Sequence, residues 1–443
     1  PAHCEAPELL DGYSSAAQKH AQGTGGRVLC VLVVNASKAH DAEVVAANSQ
    51  LVTELCARLD NLRPVPGLDA AYLGSAGAWD VLIIDRCAGL RRLPAGEGVG
   101  LARRIGCDVA LRLVARGDVE GPWIHTTDAD AQLPPSYFDP LDEHPRQQHP
   151  RVLGMPGDRR TFSACIYPYW HLPTGASLQD QAIGHYEIYL RHYSLGLWAA
   201  GSPWGFPTIG STLCIHARAY AAVRGMPRRL AGEDFHILAK LAKVGPVAVL
   251  EGAAIQLSGR PSTRAPFGTG SGALALGEKL RTGIQPQLPN PAAFVALAHW
   301  QKLLRGAVLE HRSVTCLRQD VLAGPHGGVV DRVVEGLGGY SALAKALSDG
   351  LRRDVVQTRI HTWFDALKTL RWMHAVRDAG LADVDWDVAV RGLVARCEAP
   401  WCAQAPAGSS VDAWRVWLAR NEGVRDRPWD RDAGPDVALT EPV

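Results

Sequence analysis

An acidic pair separated by one small residue, Asp128-Ala129-Asp130, ends the segment WIHTTDAD of this chain. The residues before the pair are typical of a short strand, and the Pro-rich residues after it of a loop. Carboxylates at positions i and i+2 of a strand end can reach one cation if the loop bends after the first. Hard cations such as Mg²⁺ or Mn²⁺ prefer oxygen ligands and usually arrive with substrate phosphates. The pair therefore predicts a metal–nucleotide site; a solvated acidic loop or an Asx turn is the alternative interpretation.

The segments around this pair alternate between strand and helix patterns. Continuous apolar runs at 28–34 and 79–85 are typical of buried strands. The spacing of apolar residues predicts helices at about 40–60 and 98–106, followed by a short strand at 107–114. This alternation predicts an α/β fold, in which an open, mainly parallel sheet carries helices on both faces.

Three polar side chains follow predicted strands at the points where those strands end. They are Asn35, Asp85 and Asp128. Because ligands of open α/β sheets bind at the carboxyl ends of the strands, we expect these residues to converge on one edge and to contact the ligand. Asp85 taken alone is equally compatible with an ordinary turn after a strand.

The second half of the chain changes its pattern. A helix is predicted at about 233–243 and a strand at 247–252, and from about residue 290 onward most segments have helical periodicity. We therefore predict a lead-in at 1–26, an α/β domain at 27–280 and a mainly helical region at 281–443. The last fifteen residues are charged and Pro-rich, and we expect them to be loose.

Composition limits the class of protein. The 443 residues include 46 basic and 45 acidic side chains, so no excess of positive charge indicates a nucleic-acid partner. No apolar run is long enough to span a bilayer, and the first residues lack the features of a secretory signal. The ten cysteines are scattered singly, as in a reducing compartment. These features predict a cytoplasmic protein without an integral membrane segment.

Five segments in one order make the chain resemble a glycosyltransferase of the GT-A fold, most closely the large inverting family 2. The segments are VLCVLVVNAS, WDVLIIDRC, GEGVGLARRIG, TTDADAQLPPSYF and AGEDFHILAKLAKVG, and together they extend over about residues 27–272. The resemblance implies a Rossmann-like GT-A domain and a nucleotide-sugar donor bound with Mn²⁺ or Mg²⁺. It also implies transfer of the sugar, of the hexosyltransferase type, to an acceptor hydroxyl with inversion.

The resemblance further implies roles for single residues. Arg103 would lie near the donor. Asp130 would bind the metal directly, and Asp128 would contact the ribose or a metal-bound water. Asp234 would be the catalytic base that removes the proton of the acceptor hydroxyl. Glu233 would contact the acceptor or the transferred sugar.

The chain also departs from the family pattern. The common Gln-x-x-Arg-Trp acceptor motif is missing, and SGRPSTRAPFGTG stands at roughly that place. Arg260 and Arg264 in this segment suit contacts with phosphates, so they predict a clamp on the donor diphosphate or a site for an anionic acceptor. A solvated loop is the alternative. The acceptor, whether a small molecule, a saccharide or a lipid-linked sugar, is therefore left open, as is the oligomeric state.

Other functions remain compatible with the sequence. A retaining GT-A enzyme can carry the same acidic segment. A sugar-phosphate nucleotidyltransferase shares the sheet type but needs a Gly-rich loop after the first strand, where this chain has NASKAHDAE. A non-catalytic, glycosyltransferase-like binding protein is the third alternative. In that case, Glu233 and Asp234 would simply complement the dipole at the start of a helix.

Overall fold

A computed structural model describes residues 2–139, 151–153, 162–262, 268–310, 312–348, 351–396 and 405–426. Over these ranges the chain is a mixed α/β protein with small sheets, and the predicted α/β class is confirmed. Arg264 and the last fifteen residues, which were predicted to be loose, lie outside the described residues. The predicted domain boundaries stay predictions.

The first part of the chain alternates between helices and strands. Its elements are a 3-10 turn at Pro7–Leu10, α1 (Asp11–Thr24), β1 (Val28–Asn35), α2 (Ala42–Ala57), β2 (Asp60–Pro64), β3 (Ala71–Ala76), β4 (Trp79–Arg86), a 3-10 turn at Gly89–Arg91 and α3 (Val99–Arg116). The strand predicted at 107–114 was wrong, because these residues continue α3. Four apolar residues of this segment pack into one core cluster: Cys107, Ala110, Leu111 and Val114. Their spacing matches the 3.6 residues per turn of a helix, which explains why the segment is helical.

The first sheet is mixed rather than mainly parallel. Its strand order is β1-β4-β3-β2, in which β1 pairs with β4 in parallel and β3 pairs with both neighbours in antiparallel orientation. A two-residue loop joins β3 to β4, and its first residue, Gly77, has a φ of 60°. Glycine at this position permits the tight hairpin, which forces the antiparallel pairing. The predicted parallel sheet is therefore present only as the β1–β4 pair in this layer.

The second part of the chain supplies a second mixed sheet. Its elements are β5 (Trp123–Thr126), β6 (Arg151–Leu153), β7 (Ala164–Ile166), β8 (Tyr169–Leu172), α4 (Ser177–Ala199), a 3-10 turn at Gly210–Thr212, β9 (Leu213–His216), α5 (Ala217–Ala222), α6 (Glu233–Val244), β10 (Val247–Val249), β11 (Ile255–Ser258) and α7 (Thr269–Arg281). The strand order is β5-β9-β7-β10-β6, with only β7 and β10 parallel. Separately, β8 and β11 form a parallel pair.

The predicted lead-in packs against the sheets. Tyr13, Ala16 and Ala17 of α1 are buried in a core cluster that also contains Leu32 of β1 and Cys165 of β7. Helix α1 therefore joins the two sheets through apolar contacts, which favour burial by about 25 cal/mol per Å².

The carboxyl-terminal region is mainly helical in the part that the structure describes. Its elements are β12 (Gln287–Leu288), α8 (Pro291–Glu310), α9 (Val314–Ala323), α10 (Gly327–Gly336), α11 (Gly339–Ala346), α12 (Arg353–Trp363), α13 (Ala366–Asp378), β13 (Val384–Asp385), α14 (Trp386–Arg396) and α15 (Val411–Glu422). Trp300 and Trp372 are fully buried in its core, together with Leu195 of α4. Helix α4 therefore contributes to the core of the helical region.

Buried ion pairs also attach α15 to α4. Arg191 Nη1 lies 2.5 Å from Glu422 Oε2, and Arg415 Nε donates to Glu187 Oε2 at 2.7 Å. Arg191 Nη2 also donates to the carbonyl of Tyr169 at 2.7 Å. All four charged side chains are buried, so each charge depends on its partner in a medium of low polarity.

Removing one charge of this pair should destabilise the fold more than removing both. Arg191→Met leaves the buried carboxylate of Glu422 without its cation, and we expect the free energy of unfolding to fall by about 3–5 kcal/mol. The double variant Arg191→Met/Glu422→Leu removes both charges and should lose less. Urea denaturation of the three proteins measures these values. A double variant that is less stable than the single one would contradict the assignment.

Candidate functional site

A cleft with a volume of about 510 Å³ lies where β1 and β5 end and α6 begins. Many of the residues singled out in the sequence line this cleft. They are Asn35, Arg103, Asp128, Asp130, Glu233, Asp234 and Arg260. The structure thus brings together side chains that the sequence separates by more than two hundred positions.

Arg103 of α3 is the central side chain of the cleft. It is buried, and its guanidinium donates to the carboxylates of Asp128 and Glu233. Helix α3 reaches this position because Gly100 lies against the backbone of the 227–229 segment, where an added Cβ would come within 2.5 Å of the carbonyl oxygen of Pro227. The fork geometry of arginine allows one side chain to connect two carboxylates from two different elements.

Gly210 makes room for this guanidinium. A Cβ at Gly210 would lie 2.1 Å from Arg103 Nη1, which is far inside contact distance. The hydroxyl of Thr126, the last residue of β5, donates to the carbonyl oxygen of Gly210 at 2.7 Å and holds this backbone in place. Strand β5 therefore fixes both the acidic turn that follows it and the wall opposite.

The Asp128–Asp130 segment forms a turn supported by the lead-in helix. The amide of Ala131 donates to the carbonyl of Asp128 at 3.1 Å, and the hydroxyl of Tyr13 donates to the same carbonyl at 2.7 Å. The amide of Leu133 donates to the carbonyl of Gly12 at 2.9 Å. These bonds hold the backbone of the acidic turn, and its two carboxylates line the cleft.

Asp130 lies in a cluster of acidic side chains next to one arginine. Arg260 Nη2 is 3.1 Å from Asp130 Oδ2 and donates to both carboxylate oxygens of Glu5, at 2.7 and 2.8 Å. Burial, followed by the negative charges of Asp128 and Glu5, raises the pKa of Asp130 to about 6, although Arg260 opposes the shift. Asp130 therefore shares Arg260 with Glu5 and lies near a second carboxylate, a setting that a bound cation would stabilise.

Glu233 and Asp234 begin α6 after Gly232, whose φ is 73°. Glu233 is buried and paired with Arg103. Burial raises the pKa of Asp234, and Asp128 adds to the shift, while Arg103 and backbone N–H groups oppose it. Of the two carboxylates, Asp234 is therefore the better proton acceptor, because Glu233 is neutralised by its guanidinium partner.

Asn35 and Asp85 have structural partners. Asn35 Nδ2 donates to the carbonyl of Ala2 at 2.9 Å, so this residue binds the start of the chain at the cleft wall. Asp85 is not among the described residues that line the cleft. Its carboxylate accepts from the amide of Cys87 at 2.8 Å and from Arg91 at 2.6 Å. Burial opposes its charge, but these donors hold the pKa of Asp85 below its usual range. These contacts are those of an ordinary turn residue after a strand. Contact between Asp85 and a ligand stays a prediction.

Several residues of the cleft were not anticipated from the sequence. Glu5 belongs to the lead-in, as does Tyr13, which supports the acidic turn from behind, and Gly210 and His171 lie in segments without a recognisable motif. The Gly and Pro content of SPWGFPTIGS around Gly210 indicates that another group packs closely against this backbone. It does not identify Arg103 as that group.

A metal was predicted at Asp128 and Asp130. In the ranges that the structure describes, no group of three or more His, Cys, Asp or Glu side chains is arranged to hold a metal ion. A site for Mg²⁺ commonly uses only one or two carboxylates together with water and substrate phosphates. The two carboxylates fit such a site chemically, since both line the cleft and supply the oxygen ligands that Mg²⁺ prefers.

The comparisons with known proteins do not place the chain in a family. No protein-family model matches it, and the curated proteins include no significant match. Across the described helices, none has the length and apolar character needed to cross a membrane.

Gly210→Ala should displace the guanidinium of Arg103 and so disturb the cleft. The new methyl group overlaps the guanidinium, so we expect Arg103 to move away from Asp128 and Glu233 and the free energy of unfolding to fall by about 1–3 kcal/mol. Chemical denaturation measures the stability change.

Gly306→Ala is the matched control, because Gly306 lies within α8 and no atom lies within 4 Å of its added Cβ. Replacement of a helical glycine by alanine is stabilising by roughly 0.5–1 kcal/mol. Equal effects of the two substitutions would argue against the role of Gly210.

Proposed function

We propose that this protein is a glycosyltransferase that moves a sugar from a nucleotide diphosphate to an acceptor hydroxyl, with a divalent cation and with inversion. The observation that carries the proposal is that Asp128, Asp130, Glu233 and Asp234 line one cleft, in which Arg103 donates to Asp128 and Glu233. We further propose that the two sheets form a variant of the GT-A fold, with β1 and β5 as the strands that end at the donor.

The acidic turn suits the diphosphate side of the reaction. Asp128 and Asp130 would hold Mn²⁺ or Mg²⁺, and the bound cation neutralises the charge that develops on the departing phosphate. Arg260 adds a guanidinium beside Asp130, at 3.1 Å, and suits contact with a phosphate oxygen. The surroundings of Asp130 support this assignment: the negative charges of Asp128 and Glu5 add to the effect of burial in raising its pKa, and a bound cation would offset that repulsion.

Asp234 suits the acceptor side. In an inverting transfer, the acceptor oxygen bonds to the anomeric carbon, the bond to the diphosphate breaks, and the leaving nucleoside diphosphate keeps the electron pair. The hydroxyl proton passes to a base on the opposite face of the sugar. Asp234 lines the cleft and has a raised pKa, so its carboxylate is suited to accept that proton.

Asp130→Ala should remove metal-dependent nucleotide binding and leave the fold intact. The measurement is a thermal-shift panel of UDP, GDP, ADP and TDP with and without Mn²⁺. For the matching nucleotide at a hundred times its Kd, wild-type protein should gain about 2.7 kcal/mol, and the variant should lose the Mn²⁺-dependent part. Asp139→Ala, which removes an exposed carboxylate paired with Lys19, is the control. An unchanged Mn²⁺ response in folded Asp130→Ala protein would refute the metal site.

Asp234→Asn should lower kcat by about 10²–10⁴-fold with little change in donor Kd, because a base acts only in the chemical step. Transfer rate and nucleotide Kd are measured side by side, and the anomeric configuration of the product is determined by NMR. Near-wild-type kcat would move the role to Glu233 or to a retaining mechanism.

The pH dependence of the stability of Asp234→Asn distinguishes the loss of a titrating carboxylate from the loss of a helix cap. The folded-state pKa of Asp234 is raised, so its contribution to stability is complete below the ordinary Asp pKa and is lost as the pH rises through the folded-state value. Asp234→Asn should therefore gain Tm relative to wild type as the pH rises from about 4 towards neutrality. A constant or opposite difference would contradict the buried, raised-pKa assignment.

A further inference from the structure

A buried histidine on β8 faces the cleft and has no part in the reaction described above. His171 is 1% exposed and lines the cleft near Tyr186, Leu257 and Ser258. Its backbone position is fixed by pairing with Leu257 of β11. A buried imidazole in a polar cleft normally has both ring nitrogens engaged, so the partners of each nitrogen are informative.

One ring nitrogen of His171 is engaged by a buried carboxylate. Nδ1 lies 2.8 Å from Glu187 Oε1, which also accepts from the backbone N–H of His171 at 2.6 Å. Glu187 is fully buried, and although burial opposes its charge, Arg415 and Arg191 hold its pKa well below the usual range. An ionised carboxylate can only accept, so the proton of this hydrogen bond is on Nδ1.

The other ring nitrogen is directed to the cleft by elimination. Nε2 makes no hydrogen bond to any residue in the described part of the chain, although the ring is almost completely buried. Nδ1 is therefore committed to Glu187, and Nε2 remains available for a hydrogen bond with a polar group of the ligand or the solvent.

The surrounding ion pairs fix this orientation. Arg415 Nε donates to the second oxygen of Glu187 at 2.7 Å, and Arg191 lies 3.6 Å from the same oxygen. The carboxylate of Glu187 cannot rotate without breaking these contacts, so the imidazole it holds is also fixed. A preorganised hydrogen-bonding group at the wall of a cleft binds a ligand hydroxyl without the entropy cost of ordering a side chain.

We propose that His171 Nε2 forms a hydrogen bond with a hydroxyl of the saccharide in the cleft, and that Glu187 is the positioning residue that holds the ring by Nδ1. The inference rests on the proposed function and adds a residue that recognises the sugar. The hydroxyl belongs either to the sugar of the nucleotide donor or to the acceptor. These two sources share one chemistry and are separated by measurement.

The decisive variant is His171→Asn. The Asn side-chain amide can replace Nδ1 as a donor to Glu187, but nothing in it reaches the position of Nε2. His171→Gln is the rescue variant, because its longer amide can place an acceptor near the Nε2 position. His299→Asn is the control, since His299 is partly buried and its Nε2 donates to the backbone carbonyl of Asp320 in α9, outside the cleft, at 3.2 Å.

The measurements are Kd for the nucleoside diphosphate, Kd for the matching nucleotide sugar, and KM for the acceptor. Loss of one hydrogen bond should weaken the relevant constant by about 3–10-fold in His171→Asn, with partial recovery in His171→Gln. A donor hydroxyl as partner predicts weaker nucleotide-sugar binding with unchanged diphosphate binding. An acceptor hydroxyl predicts a raised KM with unchanged Kd values. Either result supports the assignment.

Unchanged constants in a folded His171→Asn protein would overturn the assignment and leave only a structural role for His171. The same conclusion follows if His171→Gln and His171→Asn lose affinity equally for all three ligands. Should wild-type protein bind no nucleotide sugar with or without Mn²⁺, the proposed function fails first, and this inference fails with it.

Discussion

The candidate site depends on one buried guanidinium. Arg103 of α3 connects the turn after β5, through Asp128, to the start of α6, through Glu233. A buried arginine requires carboxylate partners, and buried carboxylates require a cation, so the three elements stabilise one another's positions. The absence of a side chain at Gly210 is part of the same constraint, since the guanidinium occupies the space that a Cβ would take. The cleft is shaped by this ionic contact as much as by apolar packing.

Four of the carboxylates that line the cleft differ in their chemical properties because their neighbours differ. Glu233 is paired with Arg103, and Asp128 shares that arginine from a more exposed position. Asp130 and Asp234 have raised pKa values, chiefly because both are partly withdrawn from solvent. In enzymes generally, different surroundings give carboxylates of the same residue type different pKa values. Some of them can then bind ligands while others accept protons.

The sequence predicted the parts of the site that are local. Buried strands such as β1 are evident from continuous apolar runs, and the acidic pair and the Gly-Glu-Asp start of α6 are short motifs. The hairpin of β2 and β3 escaped prediction because β2 is exposed throughout and ends in Pro64, so it has no apolar alternation. The contacts of Glu5 with Arg260 and of Tyr13 with Asp128 join residues 255 and 115 positions apart, and no local pattern encodes such pairs.

The link between α4 and α15 also sets an order of events during synthesis. Glu187 and its partner Arg415 are 228 residues apart. At roughly 5–20 residues per second, a ribosome needs about 10–50 s to make the intervening chain. During that interval Glu187 has Arg191 of its own helix beside it, at 3.6 Å, but lacks the second guanidinium that pairs with it in the fold. The ion pairs that hold the ring of His171 are therefore completed only after α15 has been made.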